Sequence, residues 1–470
     1  MGDPRQYILL AVAVFVPLFL IVKRWERGLL AWVCFTLGIN LFDTTIILNL
    51  PAARIVGLML IPQALQNLSP ISRSLPGRTL IIQYVYLVLL GVVFGFILPW
   101  PGGGYDRAFN QLAHGRTVIY LIRTAADISL AFFVARQIIK WPRPDKVLRY
   151  ILAGTSAAAL AAILEFMTRI DWYGMITGLR ALELEYRMRG FNYEPRGLGL
   201  MTAQGMLLAV LLFSRRRLWR SYGLIVINAV GLFLSGSTSA LVAAVAGASA
   251  FLLLGRRARL FIVGIVMVGA LILIPIINLR TDYIRTFQEN LTYRLTTARF
   301  SESPSNVFEE LAFRMEIYDG PALLFLVSNP IYLVIGTGPG LIPLPATAYI
   351  PSSADNSWIN AGLNCPPMMG GLLEISNGGI VGFMCWIIIC LSSLRAFKKL
   401  TQIRPLEAKM WQTARGAFIV VAVVFFLQVS GLSAIWPVFI GMGIGAACLT
   451  QVPRPVPLAI QTMIKCRKRI

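Results

Sequence analysis

Apolar stretches of about 15–23 residues, parted by short polar connections, recur along nearly the whole chain, and this pattern limits the fold more than any other feature. A segment that spans a bilayer has no water to satisfy its peptide groups, so it must be a helix or part of a closed barrel. The runs are continuous rather than alternating, which selects helices. Candidate spans cover roughly 7–22, 28–49, 53–67, 79–99, 117–139, 150–168, 196–213, 221–235, 238–254, 260–278, 371–393, 415–431 and 435–450. The expected fold is all-α: a polytopic membrane protein of about 12–13 transmembrane helices, with 1–470 as a single transmembrane domain. A mean hydropathy of +0.71 agrees. The first run, Tyr7 to Val22, has neither a basic leader nor a small-residue cleavage site and is expected to be retained.

A net charge of +22 would suit nucleic acid, but the basic residues sit in short clusters between apolar runs. Insertion topology accounts for them, so no nucleic-acid partner is expected. Lys23/Arg24/Arg27, Arg73/Arg78, Lys140/Arg143/Lys146/Arg149, Arg215/Arg216/Arg217/Arg220, Arg256/Arg257/Arg259, the 395–415 loop and the tail Lys465–Arg469 occupy alternate connections. The positive-inside rule then places the N-terminus outside and the C-terminus in the cytoplasm. All eight lysines fall on the cytoplasmic side, where Glu26, Asp145 and Glu407 are the only acids among 21. The other face carries arginine alone. Of the six cysteines only Cys365 falls in an outward loop, which argues against a disulfide framework. His114 is the single histidine and has no companion ligands, so neither a metal nor another cofactor is expected.

Two long polar segments lie on the outer side: a loop at 169–195 and a large, partly helical loop at 279–370. In the larger, Asn306 and Glu309 form a capping box, and Phe308, Leu311, Met315 and Tyr318 give an amphipathic stripe that ends at Gly320-Pro321. The smaller ends in Arg187-Met-Arg189-Gly-Phe-Asn-Tyr-Glu194-Pro195-Arg196. Pro195 suits a first helical turn, so a span should start there with its N–H groups facing outward, an arrangement that favours anions. Arg187, Arg189 and Arg196 beside it make a candidate diphosphate site, because guanidinium forks bind phosphate oxygens in pairs and keep their charge. Glu194 is the candidate proton acceptor; the plainer reading is that it caps the helix and pairs with Arg196. Arg123 and Asp127, four apart within a span, are expected to form a structural ion pair.

The order of these features resembles the O-antigen ligase and polymerase superfamily, bacterial membrane glycosyltransferases that use polyprenyl-diphosphate-linked sugars on the periplasmic side. The likeness covers mainly 185–385. It rests on Arg189-Gly-Phe-Asn-Tyr-Glu194-Pro195 opening a span and on Ser235-Gly-Ser237-Thr-Ser239 at the next outer hairpin. It continues with Arg314 ahead of Pro330 and Gly336-Thr-Gly338-Pro339-Gly340, and with Gly379-Ile-Val-Gly382 opening the span after the large loop. The resemblance implies a diphosphate-binding role for Arg189 and Arg314, with Arg187 and Arg196 as near substitutes. It also implies a bacterial inner-membrane location, an active site facing the periplasm beneath the 279–370 loop, and a chain-length regulator as a partner beside membrane lipids.

Ligases of this superfamily that act on lipid A core carry a His-Asn pair before the last glycine motif. Here Met368-Met369 stands nearest, with Asp355-Asn356 further upstream, and the serine hairpin lacks the arginine that often follows it. Both departures favour a polymerase that joins lipid-linked repeat units, with the lipid-linked oligosaccharide as both donor and acceptor. Glu194 is the first choice for the base, with Glu374 and Asp355 behind it. A ligase acting on lipid A core or another acceptor is the near alternative. A flippase for lipid-linked oligosaccharides is the alternative of another class; it should show paired repeats, and none is visible.

Overall fold

The computed structural model describes residues 3–39, 51–66, 68–100, 112–178, 188–192, 194–213, 218–252, 319–350, 367–427 and 435–451. The described residues contain no strand. Helices α1 (Pro4–Val22) and α2 (Glu26–Thr36) are followed by the short α3 (Ala52–Met59), α4 (Ile61–Gln66) and α5 (Leu68–Ser72). Then come α6 (Leu75–Val92), drawn on by a π-turn to Ile97, α7 (Ala113–Lys140), α8 (Pro144–Thr168) and the small α9 (Trp172–Thr177). The next are α10 (Pro195–Leu211), α11 (Leu218–Leu234), α12 (Thr238–Leu252), α13 (Asp319–Ser328) and α14 (Pro330–Ile335). Three more long helices follow, α15 (Gly370–Ile403), α16 (Ala408–Leu427) and α17 (Ile435–Gln451), with single helical turns at Pro343–Ala346, Thr347–Tyr349 and Pro405–Glu407 between elements. Proline sets several of the starts: α1, α6, α8 and α10 each carry one in the first turn, where its missing N–H costs nothing.

Six of the described helices are long and apolar enough to cross a membrane by length and composition, and the protein is an all-α polytopic membrane protein. Its side-chain distribution agrees. Ile8, Phe15, Leu89, Ile97, Leu164, Met167 and Val245 stand out from the helices with half or more of their surface uncovered. In water such a belt would drive association, whereas acyl chains solvate it. Lipid supplies no hydrophobic push between helices, so close backbone approach takes over. Gly441 and Gly445 on α17 face α7, and a Cβ on them would lie 2.4 Å from Ala131 O and 2.7 Å from Ile138 Cβ.

Most expected spans coincide with helices to within a few residues. The stretch 53–67 does not: it divides at Leu60 into α3 and α4, each too short to cross, and α4 holds Pro62, which has no N–H to continue the ladder. Of the stretch 28–49, α2 occupies the first part and 40–50 lie outside the described residues, as do 260–278, the amphipathic segment around Phe308 and the basic tail.

Contacts sort the helix ends into two groups. Glu26 receives Lys140 Nζ at 2.8 Å and Gln137 Nε2 at 3.0 Å, so the α1–α2 turn and the end of α7 share one end of the bundle. Arg143, Leu212 and Glu407 line one cavity, which adds the α10–α11 and α15–α16 connections to the same end. Every described lysine lies there. At the opposite end Arg5 Nη1 donates to Met175 O at 2.7 Å, and Met188 N–H to Leu234 O at 3.0 Å.

Candidate functional site

At the end away from the lysines, residues 188–192 lead into α10 and are tied to their surroundings chiefly by one arginine and two carboxylates. Glu165, in the last turn of α8, accepts the N–H groups of Arg189 at 3.1 Å and Gly190 at 2.7 Å. Gly190 holds φ +54°, and a Cβ there would meet Ala158 O at 2.5 Å. The Arg189 side chain folds back on Asp171: Nε donates to Oδ1 at 2.9 Å and Nη2 donates to Oδ2. Its guanidinium lies 4.7 Å from the centre of the Tyr173 ring, and the residue is only 1% exposed. Asp171 also accepts the Gly174 N–H and so caps α9. The fork that a diphosphate would take is thus already filled by a carboxylate. Arg189 locks the loop to α9.

The rest of that motif is less enclosed. Helix α10 opens at Pro195 as its sequence suggests, with Glu194 at the cap position, but the Glu194 side chain makes no capping bond and is exposed. Arg196 is half-buried in the first turn. Arg187, Arg314 and Asp355 lie outside the described residues. Ser235 and Ser237, both buried, pack on Gly199 of α10, where a Cβ would come within 2.6 Å of Ser235 Oγ.

Two glycine motifs some forty residues apart in sequence meet in space. Helix α15 is broken at Gly379, which has φ +59° and ψ −160°, a region that essentially only glycine enters. Gly336, with φ +86° and ψ +167°, lies against the break. A Cβ on Gly379 would be 2.2 Å from Val334 O and 2.6 Å from Gly336 N, while one on Gly336 would be 2.6 Å from Gly379 N. The turn satisfies backbone groups that the break leaves over: Thr337 N–H and Oγ1 donate to Ser376 O at 2.8 Å each, and Gly338 N–H to Asn377 O at 3.2 Å. The Asn377 side chain accepts Gly340 N–H at 2.9 Å and donates to Tyr120 Oη at 2.6 Å. Tyr86 Oη and Trp100 Nε1 hold Ile335 O and Thr337 O from the α6 side.

Around this junction polar side chains gather within the spans. Glu374, about one turn before Asn377 on α15, accepts Gln83 Nε2 of α6 at 2.9 Å. Tyr120, bonded to Asn377, stands on the same face of α7 as Arg123 and Asp127. The expected partner of Asp127 was Arg123, but its bidentate bond is to Arg54 of α3, at 2.9 Å for both contacts. Close approach makes this possible: a Cβ on Gly57, one helical turn from Arg54, would sit 2.3 Å from Ala126 O. Asp319, 1% exposed at the start of α13, accepts the N–H groups of Met368 and Met369 and anchors the start of α15.

Of the two described candidates for the base, Glu374 is set among other polar groups and Glu194 is exposed. Sequence reasoning passed over Gln83, Tyr120 and Asn377, and placed Arg54 only among the arginines of the outer face. The available signal was polar residues at helical spacing within apolar runs: Tyr120, Arg123 and Asp127 share one face of α7, and Glu374 and Asn377 one face of α15. No group of three or more potential metal ligands occurs among the described residues. Chemically, the arrangement offers a carboxylate held by one amide, a tyrosine hydroxyl and two guanidiniums inside a membrane protein. No protein-family model matches the chain, and no curated protein matches it either.

Proposed function

We propose that this protein is a membrane glycosyltransferase that polymerises polyprenyl-diphosphate-linked oligosaccharide repeat units, working on the periplasmic face of a bacterial inner membrane. The observation that carries the reading is the gathering of Glu374, Gln83, Tyr120 and Asn377 at the broken helix α15, with Arg123 and the Arg54–Asp127 pair along the face of α7 that bears Tyr120. Ionisable groups inside spans are costly and mark sites of chemistry or transport. A lipid-linked substrate would reach such groups sideways through the bilayer.

In the proposed reaction the acceptor hydroxyl oxygen attacks the anomeric carbon while the bond from that carbon to the diphosphate oxygen breaks, with inversion. The hydroxyl proton passes to a carboxylate, and the bonding electrons leave with the diphosphate. Glu374 is now the preferred base over Glu194, because Gln83 orients it whereas the Glu194 side chain is exposed and makes no capping bond. Negative charge building on the leaving diphosphate calls for fixed cations and helix N-termini. Arg196 at the start of α10 and Arg123 are the described residues assigned to it, with Arg187 and Arg314 from the sequence resemblance. Arg189 takes a positioning role through Asp171.

The deciding experiment is polymer formation from purified lipid-linked donor by the protein in detergent, where there is no second compartment. A ladder of products is expected, and Glu374→Gln should lower its rate about 10²–10⁴-fold, the usual contribution of a general base. Full activity of Glu374→Gln would overturn the assignment of the base. A broken helix and a buried ion pair also suit a transporter of the same lipids, and absence of any polymer would favour that reading.

A further inference from the structure

At the lysine-bearing end, among residues that the proposed reaction does not use, the bundle contains a cavity of about 390 Å³ between the starts of α8 and α11 and the end of α10. Arg143, Lys146, Arg149 and Arg220 line it, with Asp145 as its single acid. Asp145 is engaged by Arg143, at 3.0 Å and 3.2 Å, and lies 3.8 Å from Arg149. Lys146 and Arg220 have no acidic partner among the described residues. The lining is apolar at Leu152, Leu212 and Leu224.

Topology rules explain why cations collect at this end but not why they converge here. Lys146 sits in the first turn of α8, a helix N-terminus capped at Arg143, and Arg220 faces the same hollow from α11. The partial positive charge of a helix N-terminus disfavours cations, and neighbouring cations repel one another. One such terminus and four basic side chains around one hollow, offset by one carboxylate, form a site that a counter-anion stabilises. The leucine wall gives that anion an apolar continuation toward the bilayer. We propose that this cavity binds an anionic phospholipid, its phosphodiester held by Lys146 and Arg220 and its acyl chains along Leu152 and Leu224. Such a site would tie this end of the bundle to an acidic leaflet, independently of the chemistry proposed for the other end.

The test is native mass spectrometry of the full-length protein with phosphatidylglycerol or phosphatidylcholine added. Phosphatidylglycerol should bind in clear preference. Lys146→Gln/Arg220→Gln should weaken it roughly 30-fold, since each basic side chain near an anionic surface is worth about fivefold. Lys146→Arg/Arg220→Lys should retain binding, which separates charge from loss of fold. Lys398→Gln/Lys399→Gln removes the same charge from exposed positions at the same end and should leave binding unchanged. Equal binding of the two lipids, an equal loss in the Lys398/Lys399 variant, or an unaltered Lys146/Arg220 variant would overturn the proposal. So would displacement by glycerol phosphate as effective as by the lipid, because the acyl chains would then have no part.

Discussion

Replacing Arg189 by alanine separates a positioning role from a ligand-binding one. Truncating one partner of a buried ion pair costs about 3–5 kcal/mol, because the other charge is left without compensation. Asp171 is 36% exposed at its side chain and can rehydrate in part, which puts the cost at the low end, about 3 kcal/mol. Loss of the guanidinium from the face of Tyr173 adds about 1 kcal/mol. Arg189→Ala should therefore destabilise the protein by about 3–4 kcal/mol in SDS-driven unfolding from mixed micelles. Removing Asp171 as well should add only the loss of its cap on α9, about 1 kcal/mol, because no unpaired charge is then left; a coupling energy of about 2 kcal/mol is expected from the double-mutant cycle. Product formation should follow the folded fraction in each variant. If Arg189→Ala is as stable as the parent yet inactive, the reasoning fails, since Arg189 would then be spending its charge on a ligand and not on Asp171.

Two further outcomes rest on the fold itself. Gly379→Ala should destabilise by more than the 1–3 kcal/mol usual for a residue in this backbone region, because its Cβ would also collide with Val334 O, and Gly382→Ala, whose Cβ would have only Glu374 O at 3.5 Å nearby, should be close to neutral by the same unfolding assay. Equal effects would show that the break in α15 is not glycine-dependent. At the lysine end, burial raises the Glu26 carboxyl, but hydrogen bonds from Lys140 and Gln137 and the charges of Lys140 and Arg136 outweigh it and hold the group below its ordinary value. A depressed folded value means that this tie is fully present above the usual carboxylate range and is lost as pH falls through the folded value. The unfolding midpoint of the parent should accordingly drop more steeply on acidification than that of Glu26→Gln, and parallel curves would remove Glu26 from the pH response.

The sequence was most informative where one physical rule acts on contiguous residues. Span length follows from bilayer thickness, and Pro195 marks the first turn of α10 because proline lacks the N–H that this turn leaves unused. It was least informative where function depends on which residues meet. Arg123 is four positions from Asp127, the spacing for an ion pair along one helix, yet Asp127 takes the fork of Arg54, 73 residues away, because Gly57 lets α3 lie directly on α7. Arg189 invited the role of a phosphate ligand because its chemistry allows one; its acid, Asp171, is 18 residues earlier, across a loop whose path no periodicity records. The same chemistry that qualifies arginine to clamp a diphosphate qualifies it to clamp a carboxylate, so residue type alone cannot separate the two roles. The separating observation is what fills the fork. By that criterion attention moves from Arg189 to Glu374, whose carboxylate is held by one amide and lies one helical turn from the junction of Gly336 and Gly379. A base must be oriented by a donor and still have an oxygen to offer, and Glu374 with Gln83 meets both requirements.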